Sequence, residues 1–325
     1  MFFCRTMKLS TEQILSLRPT TIRPQQSALP VDVLYEAEAA DCCGAIANVT
    51  TVLLLGSECT FRCTMCDLWK STHIGPTPSG NIPAQILAAL RMSRESIDAS
   101  AERWIKLYNA SNFFAPYNVP TNDLPAIADL VKDFERVVVE NHPQLVSPKV
   151  AEFAKQLGGR LEVAMGLETV EPTALRNLNK QIGVDDVRRA TEQLTSMGID
   201  VRLFVLLRPP GLSELASIEW CLASIDAARS WGARHVSIIP VRGGNGAMEH
   251  LHAKGVFEPP LASSLERVLS ESVAKSSMVI TADLWDWKRL RGLCSGCSLP
   301  RIERMQKINL TQCDLEAIVC SCAED

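Results

Sequence analysis

The segment Thr51-Val-Leu-Leu-Leu-Gly-Ser-Glu58 is followed at once by Cys59-Thr-Phe-Arg-Cys63-Thr-Met-Cys66. The first half is an apolar run with the length of a buried strand, and the second half spaces three cysteines as C-x3-C-x2-C. In parallel β/α folds, binding and catalytic residues gather where the strands end, at their carboxyl termini. The sequence therefore predicts a functional loop at the end of the first core strand.

An alternation of strand and helix continues downstream of this loop. Residues 185–197 space their apolar side chains by three, four and three positions, which is one face of a helix, and Gly198 follows as a helix-ending glycine. Apolar strands that alternate with helices indicate a parallel sheet or a barrel. The predicted strands are 49–55, 104–109, 136–140, 161–166, 200–207 and 234–240, and the predicted helices are 82–99, 124–133, 150–157, 185–197 and 213–231.

This pattern predicts an α/β fold, namely a partial (β/α)6 TIM-like barrel over residues 48–242. Residues 1–47 read as an N-terminal lead-in. After the glycine-rich stretch 243–246 the strand–helix rhythm stops. We therefore expect residues 243–325 to form a small Cys-rich α-helical C-terminal extension, stapled by a metal ion if its cysteines are ligands.

Composition narrows the class of protein. The 325 residues are 46% hydrophobic and 22% charged with a net charge of −4, which excludes a disordered or collagen-like chain. The first ten residues are too broken by charge for a signal peptide. The longest strongly apolar run, 203–207, is far shorter than the ~20 residues of a membrane span. We expect a cytoplasmic protein with no membrane partner, whose 12 cysteines bind metal rather than form disulfides.

The C-x3-C-x2-C spacing favours an iron–sulfur cluster, because cysteine thiolates are the usual ligands of such clusters. The thiolates of Cys59, Cys63 and Cys66 can hold three irons of a [4Fe–4S] cube and leave the fourth iron open. The alternatives are a zinc knuckle or three packing cysteines. Zinc sites usually show C-x2-C pairs and need a fourth ligand, which the nearby sequence does not supply apart from His73.

A C-x3-C-x2-C motif after the first strand of a six-unit barrel resembles the radical S-adenosylmethionine (SAM) superfamily. The resemblance implies that SAM occupies the open iron through its amino and carboxylate groups. It also implies that an electron, delivered by a donor such as a flavodoxin or ferredoxin, cleaves SAM to a 5′-deoxyadenosyl radical that abstracts hydrogen from a substrate.

Five segments resemble one family within the superfamily more closely. They are Phe61-Arg-Cys-Thr-Met-Cys-Asp67, Lys106-Leu-Tyr-Asn-Ala-Ser-Asn-Phe-Phe114, Val139-Glu-Asn-His-Pro143, Gly166-Leu-Glu-Thr169 and Leu206-Leu-Arg-Pro-Pro210. The family is the archaeosine-biosynthesis radical SAM family, a relative of the radical SAM domain of elongator-type tRNA-modifying acetyltransferases. The resemblance implies C–N bond cleavage in a lysine adduct of a 7-deazaguanine base of tRNA.

The resemblance also implies where SAM binds. Met65 takes the place of an aromatic residue that packs on adenine, and Ser111 and Asn112 replace a Gly-Gly-Glu-like stretch that holds the SAM amino group. Polar residues at strand ends are further candidates: carboxylates for the ribose or the ammonium, and an arginine for a carboxylate. Our candidate SAM contacts are Met65, Ser111, Asn112, Glu140, Glu168, Arg202, Arg208 and Ile239.

The tail carries two further cysteine pairs, Cys294-Ser-Gly-Cys297 and Cys320-Ser-Cys322. Four thiolates can form a zinc site, an auxiliary iron–sulfur cluster uses the same ligands, and free cysteines in a loose tail are the third alternative. The stretch 288–307 is rich in basic residues and either meets RNA phosphates or forms a solvated helix face. Its cations are Lys288, Arg289, Arg291, Arg301, Arg304 and Lys307.

Three functional hypotheses follow from these motifs. The first is a radical SAM enzyme that modifies a tRNA base, the second is a radical SAM enzyme with a small-molecule substrate, and the third is a non-catalytic iron–sulfur or zinc-binding protein. SAM-dependent changes at the cluster separate the third hypothesis from the first two.

Overall fold

The computed structural model describes residues 7–96, 104–274, 277–320 and 322. Eight strands and ten α-helices form within these residues. The strands are β1 (Asp32–Ala39), β2 (Ile46–Leu53), β3 (Trp104–Tyr108), β4 (Arg136–Glu140), β5 (Arg160–Glu168), β6 (Asp200–Leu207), β7 (His235–Pro240) and β8 (Val279–Ala282). The helices are α1 (Thr11–Ser16), α2 (Asn81–Ser96), α3 (Leu124–Val131), α4 (Pro148–Ala154), α5 (Pro172–Asn177), α6 (Val184–Ser196), α7 (Glu214–Ser230), α8 (Ala247–Ala253), α9 (Ala262–Val273) and α10 (Ser298–Thr311).

The strands lie side by side in sequence order, from β1 at one edge to β8 at the other. Strands β2 to β8 are parallel, and β1 pairs antiparallel with β2. The six predicted strands correspond to β2–β7, so the predicted α/β fold with a partial TIM-like barrel is confirmed. The predicted helix 82–99 matches α2, although its residues 97–99 lie outside the described part of the chain.

The two faces of the sheet differ, as the period of two along each strand requires. On β3, Ile105 and Leu107 are fully buried in the main hydrophobic core, which also contains Ile82 and Ile86 of α2. Lys106 of the same strand instead reaches ion partners on β1. The helices therefore cover the outer face of the sheet, and the inner face carries polar side chains.

The sheet extends past both bounds predicted for the barrel. The expectation that no strand follows residue 242 is wrong, because β8 pairs in parallel with β7. Helices α6 and α7 are followed by Gly198 and Gly232, both with positive φ, whereas no glycine separates α9 from β8. Without that signal, a four-residue strand is too short for periodicity to detect. β1 lies in the predicted lead-in. Its alternating carboxylates interrupt the apolar run by which the other strands were identified, so it was not predicted as a strand.

Those carboxylates show how far the sheet curls. Glu38 of β1 forms an ion pair with Arg202 of β6, although four strands separate β1 from β6 in the sheet. Their side chains therefore meet across the inside of a half-barrel. Glu162 of β5 joins them, at 2.6 Å from Arg202 and 3.0 Å from Arg136. The amino-terminal end of the barrel is therefore filled by a buried ion network.

The carboxyl-terminal end of the strands is left for other side chains. No helix within the described residues combines the length and the apolar character that crossing a membrane requires.

Candidate functional site

The three motif cysteines lie on the loop that leaves β2, at the carboxyl-terminal edge of the sheet. All three are half-buried and unpaired by disulfides. Burial raises the pKa of each thiol, and it raises that of Cys66 to about 12. Neighbouring motif cysteines raise the pKa of Cys63 and of Cys66 further. The thiols are thus close enough to interact and are neutral until a metal replaces their protons.

The spacing of these thiols fits a cluster better than a single ion. A single ion needs at least three ligand atoms close to one another. Among the described residues, only the tail cysteines bring such atoms within 4.8 Å of one another, and the motif cysteines do not. One ion needs its ligands packed around a single point, whereas a cubane offers a separate iron to each thiolate. The donor set of three thiolates therefore suits a [4Fe–4S] cube with an open iron.

The cysteine loop is held by the segment that follows α5. Thr64 donates its backbone N–H to the carbonyl of Leu178 at 2.8 Å and its hydroxyl to the carbonyl of Asn177 at 2.9 Å. The Nδ2 of Asn179 donates to the carbonyl of Arg62 at 2.9 Å. These bonds fix the backbone on both sides of Cys63.

An aromatic contact holds the other half of the loop. The ring of Phe61 is stacked on the ring of His142, which follows β4. Burial, with a contribution from the charge of Lys180, lowers the pKa of His142 to about 4, so this imidazole is neutral at pH 7. Its Nδ1 accepts a bond from the N–H of Gln144, and its Nε2 therefore donates to the carbonyl of Lys180.

Glu168 and Lys180 form a buried ion pair next to the cysteines. Glu168 ends β5 with a left-handed φ of 65°, and a Cβ on Gly166 would overlap both the Glu168 carboxylate and the Lys180 ammonium. The absence of a side chain at Gly166 therefore makes room for the pair. Sequence reasoning selected Glu168 but missed Lys180, since a lone lysine between two helices carries no motif.

Glu140 is the last residue of β4 and is half-buried. Burial raises its pKa to about 7, opposed by a hydrogen bond from the backbone N–H of Asn109 and by the charge of Lys180. Nearby in sequence, the hydroxyl of Ser111 is buried without a partner, and Asn112 donates its Nδ2 to Cys59 Sγ at 3.1 Å. An unpaired buried hydroxyl is available for a ligand, whereas the Asn112 amide already contacts a motif cysteine.

Met65 and Ile239 pack against the same hydrophobic cluster, which also contains Leu206 and Val241 at the ends of β6 and β7. The residue before the third motif cysteine and the end of β7 thus contribute to one apolar surface. Such a surface suits the flat face of a base.

Arg202 does not lie at this end of the barrel, and its predicted contact with SAM is wrong. It is the third residue of β6, is 3% exposed, and is committed to Glu38 and Glu162 at the amino-terminal end. The period of two placed Arg202 and Arg208 on one face, but the length of the strand separates them. Sequence periodicity reports the face and not the depth.

Arg208 does lie at the carboxyl-terminal end, with a left-handed φ of 65°. Its guanidinium is paired with Glu214 at 2.5 Å and lies 3.6 Å from Glu258. A carboxylate ligand would therefore have to compete with Glu214 for this arginine.

An open cavity of about 370 Å³ lies beside the cysteine loop, between the segments that follow β7 and β8. Arg242 on its wall lies 3.4 Å from Asp67, the residue after Cys66, and 2.5 Å from Asp286. Arg289 also lines this cavity, and the adjacent Trp285 is 73% exposed. The cavity is thus linked to the cysteine loop through the ion pair of Arg242 and Asp67.

In the tail, the two cysteine pairs come together. The four Sγ atoms of Cys294, Cys297, Cys320 and Cys322 lie within 4.8 Å of one another, with individual separations of 3.7, 3.3 and 3.4 Å. Cys297 immediately precedes α10, and its Sγ lies 3.5 Å from the backbone N–H of Cys294. That contact lowers the pKa of the Cys297 thiol to about 6. The tail is therefore not a loose segment with scattered cysteines.

The basic stretch 288–307 is neither a solvated helix face nor a continuous RNA-binding surface. Arg301 is 2% exposed and pairs with Glu266 at 2.7 Å, and Arg304 donates to the carbonyls of Leu315 and Glu316. These arginines tie the tail to the barrel. The cations that remain exposed are Lys288, Arg289 and Lys307.

Comparisons with known proteins agree with this geometry. Residues 53–218, just over half of the chain, match the radical SAM superfamily. Over 297 residues the chain is 25% identical to archaeosine synthase subunit beta of Methanosarcina acetivorans, covering 86% of this chain and 84% of that protein.

Two solved structures share the fold. The Elp3 protein of Methanocaldococcus infernus with an N-terminal deletion aligns with a TM-score of 0.51 and 16% identity, over 70% of this chain and 59% of that one. SuiB of Streptococcus suis bound to S-adenosylmethionine aligns with a TM-score of 0.52 and 11% identity, over 70% of this chain and 48% of that one. Together with the cysteine motif at the end of β2, these matches establish that the chain belongs to the radical SAM superfamily of enzymes.

Proposed function

We propose that Cys59, Cys63 and Cys66 bind a [4Fe–4S] cluster whose open iron takes SAM, and that the core 48–242 carries this chemistry. The position of the motif at the carboxyl-terminal edge of the sheet is the observation that carries this proposal. When bound, the two groups supply a 5′-deoxyadenosyl radical, provided that an external donor such as a flavodoxin or ferredoxin delivers the electron. The residues of the chain hold, orient and shield them.

The proposed SAM contacts divide into an apolar and a polar set. Met65 and Ile239 pack on the adenine, because they contribute to one apolar surface beside the third motif cysteine. Glu140 and Glu168 are the last residues of β4 and β5, and Ser111 lies on the loop after β3. These residues therefore bind the polar end of SAM at the carboxyl-terminal edge of the sheet. Asn112 supports the cluster through Cys59, and Arg208 serves a carboxylate when Glu214 releases it.

The substrate that we propose is a modified base of tRNA, bound at the cavity beside Asp67, where the reaction breaks a C–N bond. The similarity to archaeosine synthase subunit beta extends over most of both chains, which supports a related substrate. Arg289 on the cavity wall and the exposed Trp285, which precedes the lining residue Asp286 in sequence, suit a nucleic acid, because unstacked bases pack on aromatic rings and guanidinium groups. A small-molecule substrate is the alternative.

The test compares the tRNA nucleosides of four strains by mass spectrometry. These are the wild type, a deletion strain, and the deletion strain carrying either the wild-type gene or Cys63→Ala. We expect one modified nucleoside to disappear on deletion, with its precursor accumulating, and to return only with the wild-type gene. An unchanged nucleoside profile in the deletion strain would favour the small-molecule alternative.

We further propose that the tail cysteines bind one Zn²⁺ rather than an auxiliary cluster. A tetrahedral zinc with Zn–S bonds of about 2.3 Å separates its sulfurs by about 3.8 Å. The observed separations of 3.3 to 3.7 Å between these sulfurs are close to that value. The expected result of metal analysis is one zinc per chain in addition to about four irons.

A further inference from the structure

The ion pair of Glu168 and Lys180 has a property that ligand spacing alone does not explain. Both side chains are buried, at 5% and 8% exposure. The segment that carries Lys180 is hydrogen-bonded to the cysteine loop. Burying an ion pair costs desolvation free energy that the attraction between the charges does not always return. The charges of this buried pair are therefore expected to affect the reduction potential of a cluster bound at the neighbouring cysteines.

Lys180 is anchored beside the cysteine loop by the residues that precede it. Asn179 donates to the carbonyl of Arg62 and, one residue earlier, Leu178 accepts from the backbone N–H of Thr64, so these bonds reach both neighbours of Cys63. Glu168, at the end of β5, is paired with the Lys180 ammonium. Lys180 is therefore the member of the pair whose own segment is bonded to the loop.

A buried cation changes the cost of adding an electron nearby. Reduction makes a cluster and its thiolates more negative by one charge, and a neighbouring positive charge in a low-dielectric interior stabilises that reduced state. The protein tunes cluster potentials through charge, hydrogen bonds and solvent exposure. A cation next to Cys63 therefore raises the potential, and a carboxylate behind that cation lowers it.

We propose that Lys180 is a positioning residue that raises the reduction potential of the cluster bound at Cys59, Cys63 and Cys66, and that Glu168 moderates this effect. The proposal rests on the proposed function, because it requires that these cysteines bind the cluster. The placement of the pair carries the argument, because the segment of Lys180 is bonded to the cysteine loop and the missing side chain of Gly166 leaves space for the ammonium.

The test measures the midpoint potential of the anaerobically reconstituted full-length protein by EPR redox titration without SAM. Lys180→Gln should lower the potential, Glu168→Gln should raise it, and the double variant should lie between the two single variants. Lys180→Arg keeps the charge and should stay closer to the wild type than Lys180→Gln does. Lys155→Gln, which removes the same charge from an exposed position after α4, should leave the potential unchanged.

Four outcomes are distinguishable, and they separate this proposal from the proposed function. If the wild-type protein binds no cluster, the proposed function fails first. If all variants hold about four irons and their potentials do not differ, the assignment of Lys180 is overturned while the proposed function stands. An unchanged potential together with weaker SAM binding by Lys180→Gln would likewise overturn it and assign the lysine to SAM. If Lys180→Gln does not load iron, the opposite shift expected for Glu168→Gln still decides.

Discussion

The ring of Phe61 lies 3.6 Å, centroid to centroid, from the ring of His142, and the two planes differ by only 10°. Phe61 stands between the first two motif cysteines, and His142 follows the third parallel strand of the barrel. The stack therefore joins the cysteine loop to a neighbouring strand end. We infer that it limits the motion of a loop whose cysteines must hold fixed positions.

This contact predicts a specific defect in His142→Ala. An aromatic pair contributes about 0.5–1.5 kcal/mol beyond the area that it buries. We expect the variant to lose at least that much unfolding free energy and to retain less iron after desalting. His142→Phe keeps the stack and should retain iron like the wild type. Equal iron retention by the alanine variant and the wild type would contradict a role for the stack.

The low pKa of His142 predicts how stability depends on pH. Its pKa is about 4 in the folded protein and about 6.5 in an unfolded chain, so the unfolded state binds the proton first. The contribution of neutral His142 to the unfolding free energy should therefore be complete above pH 6.5, and it should decrease as the pH falls toward 4. Urea denaturation at pH 7.5 and pH 5.0 should show a smaller loss for His142→Phe than for the wild type. Identical losses would contradict this assignment.

The position of Arg202 in the buried ion network at the amino-terminal end of the barrel predicts a large loss of unfolding free energy when this residue is replaced. Arg202→Met leaves Glu38 and Glu162 facing each other with one fewer cation, which typically costs about 3–5 kcal/mol. Arg160→Met is the control, because its side chain is 59% exposed and such pairs contribute about 0–1 kcal/mol. Urea denaturation of both variants measures the difference. A cost below that of the control would contradict a structural role for Arg202.

The tail site predicts different results for two cysteine variants. Cys297→Ala should lose the bound zinc and make residues 294–322 more sensitive to protease, while the iron content of the barrel stays unchanged. Cys313→Ala should change neither quantity, because Cys313 is exposed and stands outside the group of four. Metal analysis and limited proteolysis check both expectations. Loss of barrel iron in Cys297→Ala would contradict the independence of the two sites.

The sequence contained enough information for the barrel and for the cysteine motif, but less for the partners of its charges. Apolar runs of five to eight residues revealed β2–β7, because burial on both faces leaves a strong pattern. Arg202 was expected to contact a ligand, and the stretch with Arg301 and Arg304 was expected to meet RNA phosphates or to form a solvated helix face. All three arginines are instead buried in ion pairs. Lys180 had no signal, since its ion pair with Glu168 beside the cysteine loop arises only in the folded chain.

The central claim is that the cluster on Cys59, Cys63 and Cys66 has an open iron that takes SAM. Its most direct test is the EPR spectrum of the reduced, anaerobically reconstituted protein, recorded before and after SAM is added. The account predicts about four irons from a cluster that Cys63→Ala abolishes, a signal that shifts with SAM, and formation of 5′-deoxyadenosine. A cluster signal that SAM leaves unchanged, with no 5′-deoxyadenosine, would contradict the claim.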